Sequence, residues 1–293
     1  MVNNMKVLNY GSLNYDHIYQ VDHFVNPKET MSCLSYQRGF GGKGLNQSIA
    51  LAKAGMNVYH AGKVGSDGQD FIDYLNKYNV NTEFLVKDDN YATGHAIIQI
   101  CDSENSIIIH GGANRQISKE EIDKTLSHFQ KGDVLLLQNE INNMEYIINS
   151  AKEIGMYIAF NVAPISADVF NYPLDKIDLF IVNEIEAAGL AKTDSQDYQE
   201  IINELQKLNK EIVMTVGKNG SYYINGDKVI YQKPYIVKAV DTTAAGDTFT
   251  GYYLASRLNN KDIEYSLDLA AKASSITVSY KGAADAIPKI EDL

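Results

Sequence analysis

Short apolar runs recur along the chain: KVLNY at 6–10, NVYHAGKV at 57–64, DVLLLQ at 133–138, MYIAF at 156–160, DLFIV at 178–182 and EIVMTV at 211–216. They read as buried strands of a parallel sheet, where both faces are covered and near-continuous apolar sequence replaces strict alternation. Between them lie predicted helices at 44–55, 67–79, 118–129, 142–154 and 197–209. Strands alternating with helices in this way predict a doubly wound α/β fold.

Two stretches break the rhythm: 15–37, with YDHIYQVDHF and TMSCLSYQ, and 91–110, with TGHAIIQICDSENSIIIH. Alternating strands joined by turn residues predict antiparallel hairpins there. Together they form a small β-sheet inserted into the α/β domain, either a lid or two surface hairpins without gating. The stretch from Ala245 to Tyr280 reads as two helices split near Asn259 and Asn260. Neither an internal repeat nor a linker divides the chain, so residues 1–293 are expected to form one catalytic domain, its lid built from about 15–37 and 91–110.

Composition narrows the function. A net charge of −11 and a pI near 5.0 would repel a nucleic-acid backbone, although a local basic cluster can still hold a nucleotide. Cys33 and Cys101 stand far apart, with no CxxC spacing, and are expected to be small buried fillers. The six histidines show no metal-ligand spacing on any one element and are read as structural. The opening MVNNMKVLNYG has no signal-like region, and no apolar run approaches the roughly 20 residues of a membrane span. A cytoplasmic enzyme with no membrane or nucleic-acid partner is the expectation.

Three motifs carry chemistry. In the run from Asp241 to Phe249, DTTAAGDTF, small residues and a glycine meet a helix N-terminus, where free N–H groups and the helix dipole suit a phosphate. Asp247 in its first turn either complements that dipole or takes a proton from an attacking hydroxyl. The run GFGGKGLN at 39–46 matches G-x-G-x-x-G but comes some thirty residues after the first strand, so it is no dinucleotide fingerprint, and Gly44 takes the Ser/Thr place of a Walker A loop. Thirdly, GSLNYD at 11–16 follows the first strand at the end where ligands bind in open α/β sheets. Asn14 and Asp16 there are either a turn-forming pair or a hydrogen-bonding pair for vicinal hydroxyls.

With IIHGGANRQIS at 108–118, LLLQNEI at 135–141, NVAP at 161–164, VNEIEA at 182–187, TVGKNG at 215–220 and KGAADAIP at 281–288, these segments resemble the ribokinase-like (PfkB) carbohydrate kinases over nearly the whole chain. The resemblance implies a three-layer α/β/α domain with a β-sheet lid and an ATP-dependent sugar kinase, D-ribose being the leading substrate. Another sugar or nucleoside, such as deoxyribose, a fructose-type sugar or pseudouridine, is the alternative, and behind it a non-catalytic sugar-binding protein that keeps the kinase fold. Within the resemblance, Asp247 is the catalytic base, and Ala244, Ala245 and Gly246 form the anion hole. Asn14, Asp16, Gly42, Lys43, Asn46 and Glu140 contact the sugar. Asn183 touches nucleotide phosphates, Glu186 organises Mg²⁺ through water, and Thr215, Val216, Gly217, Lys218, Asn219 and Gly220 form the nucleotide-binding turn. A K⁺ site falls to Asp241, Thr243, Thr277, Tyr280, Gly282 and Ala286. The resemblance also implies a homodimer joined through the lid. Three positions depart from the family pattern. Ala271 stands where a His or Asn beside the adenine is common, Ala286 lacks the side-chain oxygen often found near the cation, and Val162 replaces a frequent proline.

Overall fold

The structure, a computed structural model, describes residues 5–102 and 104–293; the first four residues of the N-terminal reading and Ser103, within the second predicted hairpin, lie outside it. One sheet runs through the middle of the molecule. Its parallel strands are β1 (Val7–Tyr10), β4 (Val58–Gly65), β5 (Asn81–Asp88), β8 (Val134–Gln138), β9 (Tyr157–Asn161), β10 (Leu179–Asn183) and β11 (Glu211–Thr215). An antiparallel hairpin, β12 (Ser221–Asn225) and β13 (Lys228–Gln232), closes one edge. The order β13-β12-β11-β10-β9-β8-β1-β4-β5 reverses direction between β1 and β8.

Alternate strand residues feed two cores, which is why the apolar runs are continuous. Leu8, Leu135, Leu137, Ile158, Phe160, Phe180 and Met214 point to one side and pack against α3 (Lys119–Leu126), α4 (Met144–Ile154), α5 (Glu184–Ala191) and α6 (Tyr198–Gln206). Val7, Val134, Leu136, Ala159, Ile181 and Val213 point to the other and meet α1 (Lys43–Lys53), α2 (Gln69–Lys77), α7 (Ala245–Leu258) and α8 (Ile263–Thr277). Period-two side-chain alternation and helices on both faces thus make the three layers the sequence predicts.

The two irregular stretches form a second sheet, in the order β3-β2-β6-β7, from β2 (Asn14–Gln20), β3 (Ser35–Gly41), β6 (Gly94–Cys101) and β7 (Glu104–His110). Each stretch pairs with itself antiparallel, and β2 joins β6 in parallel. Both cysteines belong to this single-layered region, and the expectation that they are buried fillers is wrong. Cys33 is exposed in the β2–β3 connection and Cys101 is half-buried, because no helix covers the sheet there. No helix among the described residues is long and apolar enough to cross a membrane.

Candidate active site

Strand β1 and strand β8 are neighbours whose onward connections leave in opposite directions, so a crevice opens at their carboxyl ends. Gly11 and Ser12 leave β1 there, and Asn139 and Glu140 leave β8. The start of α1 crosses the same crevice. Gly42 has φ 101°, a conformation open to glycine, and an added Cβ at Gly44 would fall 2.4 Å from the Ser12 nitrogen. The glycines of GFGGKGLN therefore bring a helix N-terminus into backbone contact with the loop after β1. Ser12 donates through its hydroxyl to Glu140 Oε2, which also accepts from the Lys43 amide at 3.2 Å.

Asp247 projects into this crevice from the first turn of α7. The N-cap position of α7 is Ala244, which takes φ 60°, left-handed for a non-glycine residue, and no side chain caps the helix, so Asp247 is not the cap. Instead the buried carboxylate accepts from Asn46 Nδ2 at 2.9 Å on Oδ2 and from Gln47 Nε2 at 2.8 Å on Oδ1. Asn46 Oδ1, by contrast, is buried with no partner. No side chain caps the first-turn N–H groups, although Ala245 N donates to the Thr242 carbonyl at 3.3 Å, and Ser274 of α8 braces the turn by donating to the Ala245 carbonyl at 2.9 Å.

A cavity of about 280 Å³ opens at the β8 end of the crevice, lined by Asn14, Ile109, Gly111, Asn114, Arg115, Asn139, Glu140 and Pro164. Asn14 Oδ1 accepts from Asn114 Nδ2 at 2.9 Å. Asp16 is two residues further along β2, on the same face as Asn14, and a Cβ at Gly41 would come 2.1 Å from its Oδ2, so the neighbouring strand leaves room for the carboxyl only by having glycine. Burial, and then the charge of Glu140, push the Asp16 carboxyl up to about 7. Burial also raises Glu140, against the pull of Lys43 and two hydrogen bonds. Lys43 loses favour for its charge through burial, but Asp247, Glu140 and Glu186 together hold its ammonium above the usual range. One lysine thus sits among three carboxylates in an otherwise acidic protein.

At the end of β10, Asn183 and Glu186 form a reciprocal cap on α5: Asn183 N donates to Glu186 Oε2 at 2.9 Å, and Glu186 N to Asn183 Oδ1 at 2.8 Å. Glu186 is buried, which raises its carboxyl, and its cap uses one oxygen and leaves Oε1. Thr215 ends the adjacent β11 in register with Asn183, and Val216 to Gly220 turn away from it, with Gly217 at φ 52° and Gly220 at φ 97°. Lys218 and Asn219 lie in this turn, Asn219 Nδ2 donating to the Tyr198 hydroxyl at 3.1 Å. No hydrogen bond among the described residues joins this turn to Asp247.

Asp241 ties two loops together, accepting from Thr243 N at 2.9 Å and Gly282 N at 3.1 Å. Burial works against its charge, but the Thr243 hydroxyl, together with these N–H groups and the charge of Lys281, holds the carboxyl below its usual range. Thr277 is buried at the end of α8, its hydroxyl 3.1 Å from that of Thr248, whereas Tyr280 is exposed. Lys53 Nζ donates to the carbonyls of Ala284, at 3.0 Å, and Ile287, at 2.6 Å, pinning the loop on both sides of Ala286. Ala271 is half-buried on α8.

Several polar residues at the site were not singled out individually by the sequence reading. Asn114 fixes Asn14, and Gln47, Gln138, Asn161 and Asn9 stand behind Asp247. The available signal was a polar residue inside an otherwise apolar strand, such as Gln138 after VLLL and Asn161 after YIAF.

A layered α/β domain, with a buried carboxylate in the first turn of a helix and a small sheet beside the strand ends, is consistent with a small-molecule kinase. Residues 4–290 match the pfkB family of carbohydrate kinases, and the chain belongs to that family. It is 33% identical to the ribokinase of Staphylococcus aureus, over 98% of each chain. It is 29% identical to the deoxyribokinase of Salmonella typhi, covering 98% of this chain and 97% of that one. The structure of Arabidopsis thaliana ribokinase complexed with ribose and ATP superposes with a TM-score of 0.87 at 29% identity, over 97% of this chain and 96% of that one.

Proposed function

We propose that this chain is an ATP-dependent kinase that transfers the γ-phosphoryl group to the 5-hydroxyl of D-ribose. The observation that carries the reading is the Asp247 carboxylate, which protein groups touch only as donors, set in the first turn of a helix without a side-chain cap and within charge reach of Glu140, which lines a cavity of about 280 Å³. Asp247 takes the proton of the sugar hydroxyl as its oxygen attacks the γ-phosphorus, and the bond from that phosphorus to the β-γ bridging oxygen breaks to release ADP. The N–H groups of Ala244, Ala245 and Gly246 receive the charge on the transferred group. Asn14, Asp16, Gly42, Lys43, Asn46 and Glu140 hold the sugar. The orphaned acceptor Asn46 Oδ1 supports this, since a sugar hydroxyl would satisfy it.

Asn183 and the 215–220 turn, Gly246 included on the phosphate side, are assigned to nucleotide. The cap on α5 leaves Glu186 Oε1 for a water of Mg²⁺, a cation usually held by one or two carboxylates together with substrate phosphates. When bound, Mg²⁺ neutralises phosphate charge. Asp241, with Thr243, Thr277, Tyr280, Gly282 and Ala286, is assigned to K⁺. The two Asp241 oxygens accept from Thr243 N and Gly282 N, bringing these two loops together, which supports that assignment. A cytoplasmic location belongs to the same reading, supported by the use of ATP as donor. The small sheet is read as a lid and as the surface of a homodimer, supported by the exposure of Ile97, Ile107, Ile108 and Ile109 on its strands. Light scattering giving a single-chain mass would remove the dimer.

Coupled ADP release over ribose, deoxyribose, fructose and pseudouridine tests the main reading. Turnover that is fastest on ribose is expected. Preference for another sugar would move the substrate, and silence across the panel would overturn the kinase assignment.

A further inference from the structure

We infer that Gln47 is a positioning residue that fixes the acceptor geometry of Asp247, and that its own orientation is set from two directions by a buried chain of amides. The inference rests on Asp247 as the base. An amide side chain can turn over, exchanging a donor for an acceptor, and a carboxylate facing the Gln47 oxygen would be repelled. Two backbone carbonyls, which only accept, decide the matter. From one side, Asn9 Nδ2 donates to the Gly44 carbonyl at 2.7 Å. That turns Asn9 Oδ1 towards Gln138, whose Nε2 donates to it at 2.9 Å and to Gln47 Oε1 at 2.7 Å. From the other side, Asn161 Nδ2 donates to the Ile181 carbonyl at 2.9 Å, which leaves Asn161 Oδ1 to accept from Gln47 Nε2 at 2.9 Å.

Both directions require the same orientation of Gln47, with its NH₂ group towards Asp247 Oδ1 at 2.8 Å. Gln47, Gln138 and Asn9 are fully buried, so water cannot substitute for a missing partner without a new cavity. The far end of the chain is also electrically quiet. Ser48, which accepts from Asn9 Nδ2 at 2.8 Å, reaches His60 Nδ1, and burial pushes that imidazole down to about 3, so it stays neutral. The chain therefore transmits polarity and carries no proton: a proton taken up by Asp247 has no acceptor behind it and leaves on the substrate side.

The test compares Gln47→Met in the wild-type and Asp247→Asn backgrounds, with kcat and both KM values measured for each. In the wild-type background kcat is expected to fall roughly 10- to 100-fold, the scale of a misplaced reacting group, while KM for sugar and ATP stays within about threefold. In the Asp247→Asn background the same change is expected to leave the residual kcat unaltered, since both substitutions act through one carboxylate. Equal, independent losses in the two backgrounds, or a loss confined to KM, would overturn the inference. Should Gln47→Met fail to fold, Asn161→Ser, which removes one of the two anchors, is expected to show the same dependence on Asp247. Additive losses there would overturn it as well. Near wild-type turnover of Asp247→Asn alone would instead remove the assignment of the base.

Discussion

Gly251 of α7 lies so close to Ala50 of α1 that a Cβ on it would fall 2.4 Å from the Ala50 Cβ and 2.9 Å from the Leu51 nitrogen. One turn back along each helix stand Asp247 and Asn46, and residues four apart share a helix face. The close crossing at Gly251 is thus what allows Asn46 and Gln47 to reach a carboxylate some two hundred residues away in sequence. Gly251→Ala must push the helices apart. Overpacking of this kind costs about 1–3 kcal/mol, so a lowered Tm with a fall in kcat is expected, both read on the purified variant by thermal unfolding and coupled ADP release.

Asp16 makes the unliganded protein sensitive to pH. Its carboxyl is raised from 3.8 to about 7, so the folded state binds the proton more tightly than the unfolded one. Its contribution to stability is complete below pH 3.8 and is lost as pH rises through about 7. Sugar hydroxyls donate to the ionised form, so KM for sugar is expected to fall as pH rises across the same value. In Asp16→Asn that pH dependence should vanish, which sugar KM values measured from pH 6 to about 8.5 would reveal.

Glu186→Gln keeps an oxygen to accept from Asn183 N, so the cap on α5 and the fold should survive. It removes the negative charge. The Mg²⁺ concentration giving half-maximal rate is expected to rise roughly tenfold or more, the scale of altering the outer shell of a metal site. An unchanged Mg²⁺ titration would take Glu186 out of the metal's surroundings.

Asp241→Ala cuts the ties to Thr243 and Gly282 in one step. Stimulation by KCl, measured against choline chloride at constant ionic strength, is expected to disappear, while the rate without K⁺ changes little. Retained stimulation would place the monovalent cation elsewhere.

Much of the framework could be read from the chain directly. KVLNY, DVLLLQ and DLFIV became β1, β8 and β10 with ends shifted by a residue, because apolar runs and strand periods are local properties. The edge strand β5 and the hairpin β12–β13 escaped notice. Their outer faces meet water, and NTEFLVKD and KVIYQ carry polar residues where a central strand would be apolar. Cys33 and Cys101 were misjudged because burial depends on how many layers cover a strand, which residue type alone does not reveal.

The sequence by itself determined the strand and helix alternation, the glycine run that opens α1, the placing of Asp247 in the first turn of α7, and the family to which the chain belongs. Only the tertiary structure decided what surrounds that aspartate. Gln47, Gln138, Asn161 and Asn9 come from one helix and three strands, and a single polar letter in each segment carries no sign of its partner. The physical reason is that backbone preference and periodicity act over a few residues, whereas the direction of a buried hydrogen bond is settled by whichever group the folded chain brings opposite it.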